Sequence, residues 1–277
     1  MDLSSIAAAA EVLAHARRVV FSTGAGMSAD SGIPTYRDEH GRWRKFLPFT
    51  QVGLTPSEFA HPPGYRERPQ HAWAFAEYLR RSMAQAPLHK GYNILTEWMK
   101  HRISSSFLLT TNIDDLHRRA DVPETQFYER YGNLWELQCL ERCTPHWWRE
   151  NRVELCTLDE TAMEASNFPH CPFCGGVARP RIQMAYDNEF VEKEVGWKFY
   201  QNFLNAGPID VYVIIGTTLW MSWPEGEQPQ TIIHINPDPN THQHYDAPIA
   251  VTMGAEDALV GIDGAWRQRM TSKVLKT

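Results

Sequence analysis

The chain contains 277 residues, of which 43% are hydrophobic and 22% are charged, a balance typical of a soluble globular protein. This length allows one large domain, or a large domain that carries a small insert. The net charge of -6, without any basic run, argues against a nucleic-acid-binding surface. No apolar stretch approaches the roughly 20 residues that cross a bilayer, so we expect no membrane-spanning segment.

The N-terminal residues and the cysteines both indicate the cellular compartment of the protein. Residues 1–5 lack the basic start and the cleavage site of a signal peptide, which predicts a cytoplasmic location. Thiols stay reduced in the cytoplasm, so the five cysteines favour metal binding over disulfide formation. The sequence leaves the oligomeric state open.

Short apolar runs alternate with helical stretches, which predicts an α/β fold with a Rossmann-type, doubly wound parallel sheet. Several runs are apolar without alternation, as expected for strands that are covered on both faces. The predicted strands are 19–23, 106–112, 126–131, 211–216, 232–236 and 249–254. The predicted helices are 3–17, 71–84, 91–100, 113–120, 192–205 and 257–270.

Two segments interrupt this alternation. Residues 38–85 begin with a stretch rich in Pro, Gly and aromatic residues, which predicts a flexible loop and helical insert. Residues 136–185 contain the cysteines, which predicts a small inserted zinc-binding module. The Rossmann-type domain is then expected to comprise residues 1–37, 86–135 and 186–277.

A glycine-rich loop follows the first predicted strand. Gly24, Gly26 and Ala29 fit the dinucleotide fingerprint G-x-G-x-x-G/A. In that fingerprint the first glycine permits a tight turn, the second lets the backbone approach a diphosphate, and helix-start amides face the charge. The loop continues as Ser31-Gly32-Ile33-Pro34, and no acidic residue ends a second strand about twenty residues later. The pattern predicts a dinucleotide site unlike that of an ordinary dehydrogenase, with a simple tight turn as the alternative.

Two close cysteine pairs predict a structural zinc site. The pairs are Cys139 with Cys143 and Cys171 with Cys174, the second followed by two glycines. Short chelate loops of this kind bring thiolates onto one tetrahedral ion, which leaves no position for a substrate. Cys156 lies between the pairs and is an alternative ligand to Cys143.

Taken together, the motifs resemble those of the sirtuins, the silent-information-regulator family of NAD-dependent deacylases and ADP-ribosyltransferases. The resemblance implies NAD as co-substrate, held between the Rossmann-type domain and a small module with one structural zinc, and a protein as substrate or acceptor. The matching motifs are Gly24-Ala25-Gly26-Met27-Ser28, Ser31-Gly32-Ile33-Pro34, Thr111-Asn112-Ile113-Asp114-Asp115-Leu116-His117, the cysteine pairs with Arg179-Pro180, Ile215-Gly216-Thr217-Thr218-Leu219 and Ile233-His234-Ile235-Asn236.

The resemblance also assigns roles to residues of this chain. Asp114 would hold the nicotinamide carboxamide, and Asn112 would order ribose and water near the reacting carbon while the nicotinamide–ribose bond breaks. A helix N-cap followed by a first-turn acid is the alternative explanation of Asn112 and Asp114. The implied NAD-binding residues are Gly24, Ala25, Gly26, Ser28, Tyr36, Arg37, Gly216, Thr217, Thr218 and Asn236.

The sequence departs from the sirtuin pattern at the general base. Sirtuins place a His-Gly pair after the third of these strands, and that histidine activates a ribose hydroxyl during deacylation. Here the pair is Tyr131-Gly132. A phenol with a reference pKa near 10 is a poor base beside an imidazole near 6.5. Tyr131 therefore occupies the position of the catalytic histidine but lacks the imidazole base that completes deacylation.

Further features point in different directions. The stretch from Asp187 to Glu192, with Trp197, is partly similar to macrodomain-linked sirtuins, which transfer ADP-ribose to a protein. Conversely, Tyr78 and Arg81 have the Tyr-x-x-Arg spacing with which some sirtuins clamp an acidic acyl group, although a routine amphipathic helix also explains them. His117 is a candidate substitute base, with packing as the alternative.

These observations predict an NAD-consuming, sirtuin-type transferase. ADP-ribosyl transfer to a protein or another acceptor is the favoured reaction, because the deacylation base is missing while the bond-breaking residues are present. A protein-lysine deacylase, for acetyl or acidic acyl groups, is the alternative. A non-catalytic NAD or ADP-ribose sensor is the second alternative.

Overall fold

A computed structural model describes residues 3–35, 47–184, 187–218, 229–245 and 247–274. The strands are β1 (Arg18–Thr23), β2 (Ser105–Thr110), β3 (Phe127–Glu129), β4 (Gly132–Cys139), β5 (Trp147–Arg149), β6 (Thr157–Asp159), β7 (Glu164–Ser166), β8 (Ala178–Ile182), β9 (Val211–Ile215), β10 (Thr231–Ile235) and β11 (Ile249–Val251). The α-helices are α1 (Leu3–His15), α2 (Ala25–Ala29), α3 (Leu47–Gln51), α4 (Pro62–Glu67), α5 (Pro69–Gln85), α6 (Lys90–Glu97), α7 (Leu116–Arg119), α8 (Glu194–Asn205) and α9 (Ala255–Val274). Short 3-10 helices lie at Pro56–Glu58, Glu124–Gln126 and Pro239–Tyr245, and a π-helical turn at Trp98–Arg102.

The main sheet has six strands in the order β11-β10-β9-β1-β2-β3, and every neighbouring pair is parallel. The chain moves outward from β1 to β3 and then returns to the other side of β1 with β9. This is the strand order of a Rossmann-type sheet, and it confirms the predicted fold class. All six strands predicted for the sheet are present in it.

Both faces of this sheet are buried. On one face, Val19 and Phe21 of β1 belong to a core that includes residues of α1, α6 and α9. On the other face, Val20 of β1 packs in a core with Phe107 of β2 and with Tyr200 and Leu204 of α8. The continuous apolar character of the predicted strands is explained by this double coverage.

A smaller unit contains the cysteines. Its sheet has the order β5-β4-β8, with antiparallel pairing, and a separate hairpin pairs β6 with β7. Helix α5 packs against β4, β6 and β7. The small sheet begins at Gly132, a few residues before the predicted start of the module at residue 136, and the predicted domain limits otherwise stay predictions.

Several element limits differ from those predicted. The helix expected over residues 113–120 is confined to α7, because the Asp114 carboxylate accepts the Leu116 amide at 3.0 Å and holds the preceding residues in a loop. The helix expected over 91–100 ends at Glu97 and continues as the π-helical turn. Within the described ranges, no helix is long and apolar enough to cross a membrane.

Candidate active site

The candidate site lies at the carboxyl ends of β1 and β9, where the order of the sheet reverses. Ligands of open α/β sheets bind in the crevice at this switch point. The loops that follow the two strands touch each other there. The Gly24 amide donates to the Ile215 carbonyl at 3.0 Å, and the Gly26 amide donates to the Gly216 carbonyl at 2.8 Å.

The glycines of these loops are required by their mutual approach. A Cβ atom on Gly26 would lie 2.6 Å from the Gly216 Cα atom, which is closer than real contacts allow. Gly216 itself has a φ of +61°, in the left-handed region that favours glycine. Glycine is therefore needed at position 26 for contact with the second loop, in addition to the predicted close approach of a diphosphate.

A buried hydrogen-bond cluster joins this glycine-rich loop to the loop after β2. The Ser28 hydroxyl donates to Asp114 Oδ2 at 2.7 Å and accepts from Asn112 Nδ2 at 2.9 Å. Asn112 Nδ2 also donates to the Gly24 carbonyl at 3.0 Å. Ser28 is thus brought together with Asn112 and Asp114, which are far from it in the sequence, and all three side chains are buried.

Burial raises the pKa of the Asp114 carboxyl, and the hydrogen bonds from Ser28 and from the Leu116 amide oppose that rise. Its two oxygens each accept one of these bonds, so each keeps an acceptor lone pair. Both hydrogens of the Asn112 amide nitrogen are also used. Its oxygen Oδ1 is therefore the polar atom left for a bound molecule or water.

Tyr92 completes the cluster, and sequence analysis missed it. Its hydroxyl lies 3.0 Å from Ser28 Oγ, and burial together with the nearby Asp114 charge raises the Tyr92 pKa well above its ordinary value. Tyr92 lies on the buried face of α6. In the sequence it has the spacing of an ordinary core position, so no pattern distinguishes it.

His117 lies beneath this cluster. The Thr23 hydroxyl donates to Thr110 at 2.8 Å, so it accepts a 2.9 Å bond from the Nε2–H of His117. Burial lowers the His117 pKa to about 3, so the ring is neutral. The ring packs against Tyr92 and Phe127. This placement favours the packing role of His117 over that of a substitute base.

Tyr131 lies in the turn between β3 and β4 and is half-buried. Its carbonyl accepts the Gln183 amide at 2.9 Å. The next residue, Gly132, has a φ of +77°, and a Cβ atom there would lie 1.9 Å from the Arg181 carbonyl oxygen. The backbone on both sides of Tyr131 is therefore closely fixed.

Buried polar groups connect this turn to the Asp114 loop. Asn133 Nδ2 donates to the Asp114 carbonyl at 3.0 Å and to Glu129 Oε1 at 2.6 Å. Glu129 is paired in turn with Arg118 of α7, at 3.0 Å through Nε. A second buried pair, Arg181 with Glu136, lies next to it on β8 and β4. These contacts were not predicted, because the sequence does not show which charged residues are buried together.

Three further NAD-binding candidates, Thr217, Thr218 and Asn236, lie in two loops at the same edge of the sheet. The Thr217 carbonyl lies 3.3 Å from His234 Nε2, and Thr218 follows it, partly exposed. Asn236 directly follows β10, and its Oδ1 accepts the Asp238 amide at 3.0 Å. Ala25 begins α2 and is half-buried. Tyr36 and Arg37 lie outside the described residues.

Tyr78 and Arg81, the predicted acyl clamp, lie on α5. Arg81 Nε donates to Glu77 Oε1 at 2.9 Å, and Glu77 is fully buried. Tyr78 contacts Phe49 edge-on, with ring centroids 5.9 Å apart. The guanidinium of Arg81 already neutralises a buried carboxylate, and the clamp stays a prediction.

The four predicted metal ligands form one cluster. The Sγ atoms of Cys139, Cys143, Cys171 and Cys174 all lie within 4.8 Å of one another. The Cys139–Cys174 and Cys143–Cys171 separations are 3.7 and 3.6 Å. Thiolates at the corners of a zinc tetrahedron with 2.3 Å bonds are about 3.8 Å apart, so the cluster fits zinc. Cys156 is outside it, buried beside Glu77 with its pKa raised to about 12 by burial.

Known proteins share this architecture and these motifs. The Sir2 family sequence profile matches residues 24–222. A protein of Aquifex aeolicus named NAD-dependent protein deacylase is 31% identical over 228 residues, which cover 79% of this chain and 83% of that protein. A Sir2 homologue solved with ADP-ribose superposes with a TM-score of 0.71 at 23% identity, over 95% of this chain and 96% of the other. A Sir2 homologue solved with NAD gives 0.68 at 22% identity, over 94% and 93%.

The reversed sheet order, the two touching glycine loops and the attached cysteine unit define a Rossmann-type protein with an inserted four-cysteine module. The sequence match over most of the chain makes the assignment more specific. The chain belongs to the Sir2 family, the sirtuins, and the predicted family is confirmed.

Proposed function

We propose that this protein is an NAD-dependent sirtuin that cleaves the nicotinamide–ribose bond and transfers ADP-ribose to a protein or another acceptor. One observation carries the proposal. The buried Ser28–Asn112–Asp114 cluster is complete at the switch point of the sheet, whereas the turn after β3 has Tyr131 in place of an imidazole base.

The residues at the sheet edge fit NAD. Gly24 and Gly26 allow the first loop to pack closely against the second. The amide of Asn112 and the carboxylate of Asp114 are buried, and their oxygens keep lone pairs that can accept further hydrogen bonds. When bound, NAD supplies an electrophilic ribose carbon and nicotinamide as the leaving group. The residues proposed to hold it are Gly24, Ala25, Gly26, Ser28, Tyr36, Arg37, Gly216, Thr217, Thr218 and Asn236.

Asn112 and Asp114 are proposed to position the ribose, a water molecule and the nicotinamide of NAD for bond cleavage. Because the Asn112 nitrogen is committed to Gly24 and Ser28, its Oδ1 is the atom that accepts from a ribose hydroxyl or orders a water. Each Asp114 oxygen accepts one protein hydrogen bond, so a lone pair remains to accept from the carboxamide N–H of nicotinamide. Fixed dipoles of this kind act in a water-poor site without reorganisation during the reaction.

Tyr131 favours transfer over deacylation. Deacylation needs a base that takes a proton from a ribose hydroxyl, and a neutral phenol performs this poorly at neutral pH. Loss of a general base typically costs about 10²–10⁴-fold in rate. Bond cleavage before that step does not require the base, so ADP-ribose remains available to another acceptor.

Protein-lysine deacylation is the second candidate function. It is favoured by the relative from Aquifex aeolicus, which is named NAD-dependent protein deacylase. In this chain it would need a proton acceptor other than imidazole at position 131. His117 is poorly suited, because its Nε2 donates to Thr23 and the neutral ring is buried.

The cysteine cluster is proposed to hold one structural zinc ion. Four thiolates fill a tetrahedral shell, so the ion would have no open position for a substrate. It would instead fix the ends of β4 and β8 that lie away from the Tyr131 turn, since Cys139 ends β4 and Cys171 and Cys174 precede β8, whereas Gly132 pairs with the other end of β8.

The proposed function is tested by measuring nicotinamide release, ADP-ribose binding and protein modification for the wild type and Asn112→Ala. We expect the wild type to release nicotinamide and to leave ADP-ribose on protein or free in solution. Asn112→Ala should abolish release while ADP-ribose binding, measured by calorimetry, stays close to that of the wild type. ADP-ribose binding without any nicotinamide release by the wild type would contradict the proposal and support a sensor.

A further inference from the structure

We infer that Tyr92 is a positioning residue for the proposed cleavage of NAD and that it acts through Ser28. The inference rests on the proposed function. It concerns a hydroxyl that has no assigned role and that lies 3.0 Å from the Ser28 oxygen. Tyr92 itself makes its contact from α6, behind the residues proposed to meet NAD.

The direction of the Tyr92–Ser28 hydrogen bond follows from counting donors. A serine hydroxyl has one hydrogen and two acceptor lone pairs. The Ser28 hydrogen goes to the Asp114 carboxylate at 2.7 Å, and one lone pair accepts from Asn112 at 2.9 Å. The second lone pair is left for Tyr92, so the phenol donates. Ser28 is then saturated.

Saturation of Ser28 has two consequences. The Asn112 side chain must present its nitrogen to Ser28, because only a donor can be accommodated there, and this fixes Oδ1 as the outward atom. Because the Tyr92 phenol occupies the second lone pair, the single Ser28 hydrogen is left to point at the Asp114 carboxylate. The arrangement therefore fixes the direction of the Ser28 hydroxyl and one orientation of the Asn112 amide.

The Tyr92 ring is itself firmly held. It packs between the imidazoles of His89 and His117, with centroid distances of 4.7 and 4.8 Å. His89 Nδ1 accepts the Gly91 amide at 3.0 Å, and its Nε2–H donates to the Met27 carbonyl at 2.8 Å. Because His89 binds Met27 next to Ser28, the phenol and the serine are held in one rigid assembly.

Tyr92→Phe tests the inference, because it removes the hydroxyl and keeps the ring. We expect kcat for nicotinamide release to fall roughly tenfold, as one organising hydrogen bond is lost. KM for NAD should change by less than about twofold, since no contact to bound NAD is removed. Tyr200→Phe is the matched control. It removes a phenol hydroxyl from a buried tyrosine on the opposite face of the sheet.

A double-mutant cycle separates action through Ser28 from general destabilisation. In a Ser28→Ala background, Tyr92→Phe should cause no further loss of kcat, whereas independent effects would multiply. Multiplying losses, or a Tyr92→Phe enzyme with wild-type kcat, would overturn the inference.

A second measurement does not depend on activity. In ¹⁵N-labelled protein, the side-chain amide signal of Asn112 is identified by its absence from Asn112→Ala. We expect Tyr92→Phe to shift that signal and to speed its hydrogen exchange, and Tyr200→Phe to leave it unchanged. If the wild type releases no nicotinamide, the proposed function fails while this spectrum still decides the role of Tyr92. An unaltered Asn112 signal in Tyr92→Phe would overturn the inference that Tyr92 positions Asn112 through Ser28.

Discussion

Asn133 is hydrogen-bonded to the backbone of Asp114, with its Nδ2 atom 3.0 Å from the Asp114 carbonyl oxygen. The same nitrogen donates to the buried carboxylate of Glu129 at 2.6 Å. One amide thus joins the turn that carries Tyr131 to the loop that carries the proposed catalytic carboxylate. The position of Tyr131 relative to Asp114 is therefore set by a buried polar side chain and by neighbouring backbone.

Asn133→Leu should destabilise the protein, because it leaves the buried Asp114 carbonyl without its donor and removes one of the two donors to Glu129 Oε1. We expect the free energy of unfolding, measured with urea, to fall by about 2–3 kcal/mol. Asn202→Leu, on the exposed face of α8, is the control and should change it by less than about 0.5 kcal/mol. Equal effects of the two substitutions would show that the Asn133 contacts contribute no stability.

His117 should make stability depend on pH in the acid range. Its pKa is about 3 in the folded protein and near 6.5 in the unfolded chain, so the unfolded state binds a proton first as the pH falls. Stability from this group is complete above about pH 6.5 and is lost progressively towards pH 3. Relative to His117→Gln, the wild type should lose about 2 kcal/mol more between pH 7 and pH 5.

The measurement is a series of urea unfolding curves for both proteins at several pH values. Other titrating groups are shared by the two proteins and cancel in the comparison. Parallel pH profiles would contradict the neutral, buried state of His117. A deacylase activity that disappears in His117→Gln would point to the substitute-base role.

The cysteine cluster should bind one zinc ion per chain through Cys139, Cys143, Cys171 and Cys174. Cys143→Ser should lose the ion and unfold the small module, because ligand binding and local folding are coupled. Cys156→Ser is the matched control and should keep full metal content, since Cys156 lies outside the cluster. Metal content is measured by mass spectrometry of the purified proteins. Retention of zinc by Cys143→Ser with loss in Cys156→Ser would reverse the ligand assignment.

Much of the fold could be predicted from the sequence because its central strands are covered on both faces. Runs such as Val211–Ile215 are continuously apolar, and a run of that kind signals a buried parallel strand. The hairpin strands of the small module, such as Thr157–Asp159, are short and mostly exposed. They carry no such pattern, and for this module the sequence predicts only a metal site.

The candidate site could be predicted only as far as its motifs extend. Ser28, Asn112 and Asp114 stand in recognisable motifs, and the structure brings them together. Tyr92 and Asn133 have no motif of their own, because their roles arise from contacts between distant parts of the chain. A buried tyrosine on a helix cannot be distinguished by its spacing from a core residue.

We propose that Tyr131 leaves this sirtuin able to cleave NAD but without an effective deacylation base. The most direct measurement is mass spectrometry of reactions with NAD and acetyl- and succinyl-lysine peptides, for the wild type, Tyr131→His and Tyr131→Phe. We expect the wild type and Tyr131→Phe to release nicotinamide with intact peptides, and Tyr131→His to form O-acyl-ADP-ribose at least about 10²-fold faster than the wild type. Formation of O-acyl-ADP-ribose by the wild type at the rate of Tyr131→His would contradict the account.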